Sequence, residues 1–415
     1  MEKRFASENF NAETQALADQ MNLDEASVPQ WSIPPIESKT SAEFLRTERP
    51  RLLKQFAELM YGAIPPRPAE MDIDIVAEAD NAFDGLATRR EIAIRCAQNG
   101  MARTLNLLLY IPNNRSGQVP VFFGLNFKGN HAASNDPDVR FHLPKRYPTL
   151  FNSPRFTDGR MEVDQRGAQA YRFCFEDCLK RGYACATICY WDIYPDHPYG
   201  FEDSILRMYF DSSVWNSDER PSAAISAWAW GVLRALDALE CQPEINSHKM
   251  AVHGHSRLGK TALWAGANDD RIALSISCCS GTCGAKLSHR YYGEDFTWVD
   301  LWNPHWTVPA FRQFIGHDAD IPVDQHQLIA CIAPRLAYVT SATDDVYADP
   351  KGEFLAAVAA SDAYKLFGMN GIGISEMPPA GKAVIGDIGY YLRTGDHECM
   401  PENWKAFLDF ADARL

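Results

Sequence analysis

Three groups of polar residues have the types that nucleophilic ester chemistry requires, and they lie far apart in the chain. Ser256 stands between glycines in Gly254-His255-Ser256-Arg257-Leu258-Gly259-Lys260. Asp344, Asp345 and Asp349 crowd the segment Ala342-Thr343-Asp344-Asp345-Val346-Tyr347-Ala348-Asp349-Pro350. His397 falls in the polar run Gly395-Asp396-His397-Glu398-Cys399-Met400-Pro401. A serine hydroxyl is a weak nucleophile until a histidine takes its proton and a carboxylate holds that histidine. The order serine, acid, histidine is one of those in which such triads occur. Asp349 has a structural role available, because Asp before Pro350 and a long alanine-rich run reads as a helix N-cap with proline at the first helical position. Asp344 and Asp345 remain as candidate acids.

The elements around these residues suit that chemistry. Residues 249–253 read as a strand and residues 261–267 as a helix, so Ser256 sits at a sharp strand-to-helix turn, a nucleophile elbow. The second glycine comes one place later than in G-x-S-x-G, with Leu258 at the usual position. Residues 335–341 read as a strand ending at the aspartates, and residues 402–414 as a final helix behind His397. Alternating apolar and polar residues over 71–76, 90–95 and 104–110 predict antiparallel edge strands. Beyond Val119 the pattern becomes apolar strand, then helix: 119–123, 184–189, 223–239, then the elbow. The expected architecture is α/β, a three-layer sandwich with a mostly parallel central sheet and helices on both faces. Residues 41–61 read as an amphipathic helix with Ser41 as N-cap. We expect an irregular extension over residues 1–40, then one catalytic domain over 41–415, with an insertion around 135–172 bordering the site.

Composition narrows the function classes. Hydrophobic residues make up 46% and charged residues 23% of the 415 positions, which are globular values. The longest apolar runs are too short to span a bilayer. Forty basic against 54 acidic residues give a net charge of −14 and a pI near 5.3, which disfavours nucleic acid and anionic membranes as partners. The first residues are polar and carry no apolar core of a signal peptide, so the chain reads as cytoplasmic. Eleven cysteines, an odd number, lie mostly in apolar surroundings and are expected to be buried thiols.

Other polar residues invite simpler readings. His253 and His255 have no third ligand at a recognisable spacing, so packing is expected of them and no metal. Asp192, Asp196 and His197 follow a strand and are expected to shape the cleft. Trp228, Trp230, Trp264 and Trp404 fall on helical patterns and are expected in the core. Trp298, Trp302 and Trp306 lie in a loop-rich segment where stacking on a sugar is plausible chemistry, Trp306 above all.

The serine motif resembles the G-C-S-R-x-G-K of the glucuronoyl esterases, carbohydrate esterase family 15, with His255 in place of the cysteine. Further likenesses are Gly124-Leu125-Asn126-Phe127, Gly129-Asn130-His131, Arg181-Gly182-Tyr183-Ala184, Ser280-Gly281, Cys283-Gly284-Ala285, Gly293-Glu294, Asn303-Pro304-His305-Trp306, Pro322-Val323-Asp324-Gln325-His326 and Ala348-Asp349-Pro350-Lys351-Gly352-Glu353-Phe354. The resemblance implies an α/β-hydrolase fold and a monomeric serine esterase, without cofactor, that cleaves esters of glucuronate or 4-O-methyl-glucuronate in glucuronoxylan or lignin-carbohydrate material. It makes Ser256 the nucleophile, His397 the base, Arg257 the oxyanion stabiliser, and Lys260, Glu294 and Tyr347 the substrate contacts, beside the Trp306 read from its loop-rich segment. Many members carry the acid shortly after the elbow, where this chain has Cys279; others carry it on the later loop, which makes Asp345 the acid and Asp344 the reserve. Tyr347 stands where relatives often have tryptophan. Family members are usually exported, which leaves the compartment open. The alternatives are a carbohydrate acetyl esterase and a weakly active sugar-binding relative.

Overall fold

The computed structural model describes residue 16 and residues 20–141 and 165–415. Residues 142–164 of the expected 135–172 insertion lie outside the described residues, as does most of the chain before residue 20.

Among the described residues, nine strands form one sheet: β1 (Glu70–Asn81), β2 (Ala87–Gln98), β3 (Met101–Pro112), β4 (Val119–Asn126), β5 (Ala184–Cys189), β6 (Ile245–His255), β7 (Ile272–Cys278), β8 (Leu336–Ala342) and β9 (Ile388–Arg393), in the order β1-β2-β3-β5-β4-β6-β7-β8-β9. The first three are antiparallel, and β3 pairs antiparallel with β5. From β5 to β9 every pairing is parallel. The period of two explains why the parallel strands are apolar throughout. Val121 and Phe123 of β4, Met250 and Val252 of β6, and Ala337 and Val339 of β8 join one core; Phe122, Ala251 and Tyr338, one residue out of phase, join the other. The first core is covered by α1 (Arg49–Phe56), α3 (Ala224–Glu240), α4 (Arg257–Asn268), α5 (Gln325–Ala330) and α6 (Pro350–Lys365). The second is covered by α2 (Phe175–Lys180) and α7 (Pro401–Arg414). Trp228, Trp230, Trp264 and Trp404 are all buried in these layers.

One local expectation changes. The helical run over 41–61 is capped by Thr40, whose hydroxyl accepts from the Glu43 N–H, and not by Ser41. Thr40 keeps the extended backbone a cap needs, whereas Ser41 is already helical. All eleven cysteines are among the described residues and carry free thiols; nine are buried, and Cys241 is exposed.

Parallel pairing has one consequence for function: β6, β7, β8 and β9 end at the same edge of the sheet. The register places His255 beside Cys278, Cys278 beside Thr340 and Ala342 beside Arg393. The segments that follow these strands, distant in sequence, therefore meet at one rim.

Candidate active site

Ser256 has φ 57° and ψ −128°, a backbone conformation that non-glycine residues rarely adopt. It is held by an N–H bond to the Cys278 carbonyl at 2.8 Å and by acceptance of the Gly259 N–H at 2.8 Å, the first turn of α4. A Cβ at Gly254 would strike the Leu258 carbonyl of that turn, so glycine is required there. A Cβ at Gly259 would lie 3.0 Å from the Gly254 carbonyl and 3.0 Å from Ser280 Cβ. The displaced second glycine thus serves the close approach of α4 to the segment after β7. Arg257 occupies the first helical position, whose N–H has no carbonyl partner within the helix.

His397 Nδ1 lies 2.7 Å from Asp345 Oδ2. The Asp345 side chain is 6% exposed and that of His397 45%, so the acid is enclosed while the ring opens to solvent. Their two loops are tied together: Thr343 N–H donates to the Arg393 carbonyl, Asp344 N–H to the Gly395 carbonyl, both at 2.9 Å, and Gly395 N–H to the Thr343 hydroxyl at 3.0 Å. Asp344 is exposed, and its carboxylate accepts the neighbouring Thr343 hydroxyl at 2.9 Å. Asp349 caps α6 through the Gly352 N–H at 2.9 Å and pairs with buried Arg290. The His397 ring is 4.7 Å from the ring of His255, the residue before Ser256. Burial pushes His255 well below the usual histidine range, and the neighbouring His397 adds to this. His253 is likewise buried, against Trp404 at 4.7 Å, and burial lowers it to about 3.

Cys279 is buried at the end of β7 and feels the field of Asp345, so the two acid positions open to this architecture are neighbours. Behind both lies Glu353 of α6, a residue that the sequence reading gave no role. One of its oxygens accepts the N–H groups of Ser280 and Gly281 at 2.8 and 2.9 Å; the other accepts the Ser341 hydroxyl at 2.6 Å. Burial lifts the Glu353 carboxyl to about 7. A glutamate one turn into an alanine-rich helix was the available signal, since a charged side chain on an apolar face needs partners.

The positive side of the site is built at the start of α4. Arg257 pairs with Asp196 and lies 4.7 Å above the Trp306 ring. The Lys260 ammonium donates to the Ser280 carbonyl, and is 5.8 Å from the same ring. Burial lowers the Lys260 pKa, while Glu294 favours the charged form and also acts on Arg257. The Glu294 N–H donates to the Tyr347 carbonyl at 2.8 Å, which joins the two loops that carry these residues. Tyr347 is 47% exposed and keeps an open face. Trp306, expected to stack on a sugar, is 5% exposed. Its Nε1 donates to Asp196 at 2.8 Å and Arg257 covers its face, so it sits beneath the cation instead of open to a ligand.

A mostly parallel sheet with a serine elbow after β6, an aspartate after β8 and a histidine after β9 is the architecture of an α/β-hydrolase. Comparisons with known proteins narrow this. A family model described as "Glucuronyl esterase, fungi" matches residues 209–368. A carbohydrate esterase, MZ0003, from an unknown prokaryotic organism is 37% identical over 402 residues, covering 95% of this chain and 92% of that protein. The structure of a CE15 esterase from a marine bacterial metagenome, described as promiscuous, superposes with a TM-score of 0.86 at 35% identity, over 95% of this chain and 100% of the other. A glucuronoyl esterase from Solibacter usitatus does so with 0.87 at 34% identity, over 94% and 100%. The chain belongs to carbohydrate esterase family 15, the glucuronoyl esterases, and is an esterase.

Proposed function

We propose that this esterase hydrolyses the ester between a glucuronate or 4-O-methyl-glucuronate carboxyl and an alcohol, with Ser256, His397 and Asp345 as its triad. The observation that carries the reading is the 2.7 Å contact between the enclosed Asp345 carboxylate and the open His397 ring, at the rim that also holds the Ser256 elbow. A fungal relative named 4-O-methyl-glucuronoyl methylesterase 1, from Phanerochaete chrysosporium, is 34% identical over 158 residues, 36% of this chain and 33% of its own length.

Asp345 accepts from Nδ1 and so leaves Nε2 free to take the Ser256 proton. The alkoxide attacks the ester carbonyl, and the negative oxygen forms near the Arg257 N–H and guanidinium. His397 then hands its proton to the leaving alcohol, and water repeats the cycle on the acyl-enzyme. Lys260, Glu294 and Tyr347 bind the sugar, and Trp306 seats Arg257. The nucleophile, base and acid all come from the chain, so the cycle needs no cofactor.

The test compares benzyl glucuronate with acetylated xylan as substrates, for the native protein and Ser256→Ala. We expect benzyl glucuronate to be preferred, and Ser256→Ala to lower its turnover by a factor on the order of 10³ or more. Preference for the acetylated polymer would make the protein an acetyl esterase. A folded Ser256→Ala variant keeping a tenth of the native rate would remove Ser256 from the chemistry.

A further inference from the structure

Asp196 lies on the turn after β5, outside the triad, yet four polar groups converge on its buried carboxylate. His305 Nε2 and Trp306 Nε1 reach Oδ1, each at 2.8 Å. The Tyr190 hydroxyl reaches Oδ2 at 3.1 Å, and the Arg257 guanidinium pairs with the same oxygen. Burial alone would favour the protonated acid, but Arg257 and His305 outweigh it and hold Asp196 well below the usual carboxylate range. Burial keeps His305 itself below the usual histidine range, against the pull of Asp196. Arg257 is thereby fixed from two sides, by an anion in its plane and by an indole under its face.

The arrangement also balances charge. Arg257 and Lys260 are the cations at the head of α4; Asp196 is the counterion of Arg257, and Glu294 acts on both. A glucuronate ester arrives with its carboxyl uncharged, and the acid product leaves as an anion. Buried Lys260 and partly buried Arg257, without counterions, would hold that anion strongly, because charges attract most where water is excluded.

We propose that Asp196 is a positioning residue with two effects: it sets the Arg257 guanidinium at the reacting carbonyl, and it neutralises that guanidinium so that the carboxylate product is released. This rests on the reading that Arg257 faces the developing oxyanion of a glucuronate ester. Without Asp196 the arginine loses its orientation, so turnover falls. At the same time the uncompensated cation grips free glucuronate, so product inhibition tightens. A side chain that merely shaped the cleft would loosen ester and product together.

The experiment measures kcat and KM for benzyl glucuronate, and the inhibition constant of free glucuronate, in the native protein, Asp196→Asn, Arg257→Gln and the double variant. For Asp196→Asn we expect kcat to fall on the order of 10-fold or more, KM to stay within about 3-fold, and glucuronate to inhibit on the order of 10-fold more tightly. In the Arg257→Gln background, Asp196→Asn should cost no further turnover, since the residue it acts through is gone. It should also bind glucuronate more tightly than Arg257→Gln alone, whose lone Asp196 carboxylate repels the anion. This second comparison decides the matter even if Asp196→Asn by itself fails to fold, because the Asp196 carboxylate of Arg257→Gln keeps its bonds to His305, Trp306 and Tyr190 and the double variant removes both charges. Glucuronate inhibition that is unchanged or weaker in Asp196→Asn, or a further loss of turnover in the double variant, overturns the inference. Arg257→Gln with native turnover would instead overturn the oxyanion reading on which it stands.

Discussion

Replacing Asp345 by asparagine isolates the carboxylate that the structure sets against His397. The contact is 2.7 Å between heavy atoms, with the acid enclosed and the ring 45% exposed. Charges centred about 4 Å apart attract by about 4 kcal/mol at the effective dielectric of a protein surface. Half-exposure of the imidazolium reduces this to about 3 kcal/mol, which at 1.36 kcal/mol per decade is a factor of about 10² in rate. The amide also costs the correct tautomer, since an NH₂ facing Nδ1 favours the ring proton on Nε2, where it blocks acceptance from Ser256. The two effects together place the loss between about 10² and 10⁴. The assay is single-turnover acylation with benzyl glucuronate, with thermal unfolding as a control for the fold. Asp344→Asn should stay within about 3-fold of native, because an exposed carboxylate bonded to its neighbour has no part in the ring's protonation. A folded Asp345→Asn retaining a fifth of the native rate, or a severe Asp344→Asn, would refute the assignment.

Lys260→Ala and Glu294→Ala should each raise KM for benzyl glucuronate far more than for an aryl acetate; equal losses on both substrates would make these residues structural. Glu353→Gln tests a pH dependence. A carboxyl lifted by burial from 4.5 to about 7 contributes stability that is complete below 4.5 and is lost as pH rises through about 7. The glutamine keeps acceptor and donor shape without the charge, so denaturant unfolding should show it more stable than native at pH 8 by about 3 kcal/mol and nearly equal at pH 4. Parallel stability curves over that range would contradict the burial argument. Gly254→Ala drives a methyl into the Leu258 carbonyl and should lower stability by about 1–3 kcal/mol, read as a shift in thermal midpoint; an unchanged midpoint would show that the elbow can relax.

Local signals made much of this protein legible in its sequence. The period-two runs near the N-terminus became β1, β2 and β3, and the apolar runs became the parallel strands, because a strand buried on both faces has few polar positions to offer. The glycines at 254 and 259 marked the elbow because backbone atoms approach them too closely for a side chain. Asp349 before Pro350 fixed the start of α6. Motif likeness supplied the family, through residues whose spacing no propensity explains.

The tertiary structure decided what no spacing along the chain contains. Asp344 and Asp345 are adjacent and chemically identical in sequence; only the pairing of their loop with that of His397 turned one inward to 2.7 Å and left the other in solvent. Trp306 read as a ring free for sugar until its neighbours were known, and the fold placed it under Arg257. Asp196 and Glu353 could be given no bonding role from sequence because their partners come from segments far apart, brought together where parallel strands end at one rim. A sequence determines which residues form strands, turns and caps because those depend on near neighbours. Which carboxylate meets which cation depends on register and on burial, and these exist only once the sheet has closed its layers.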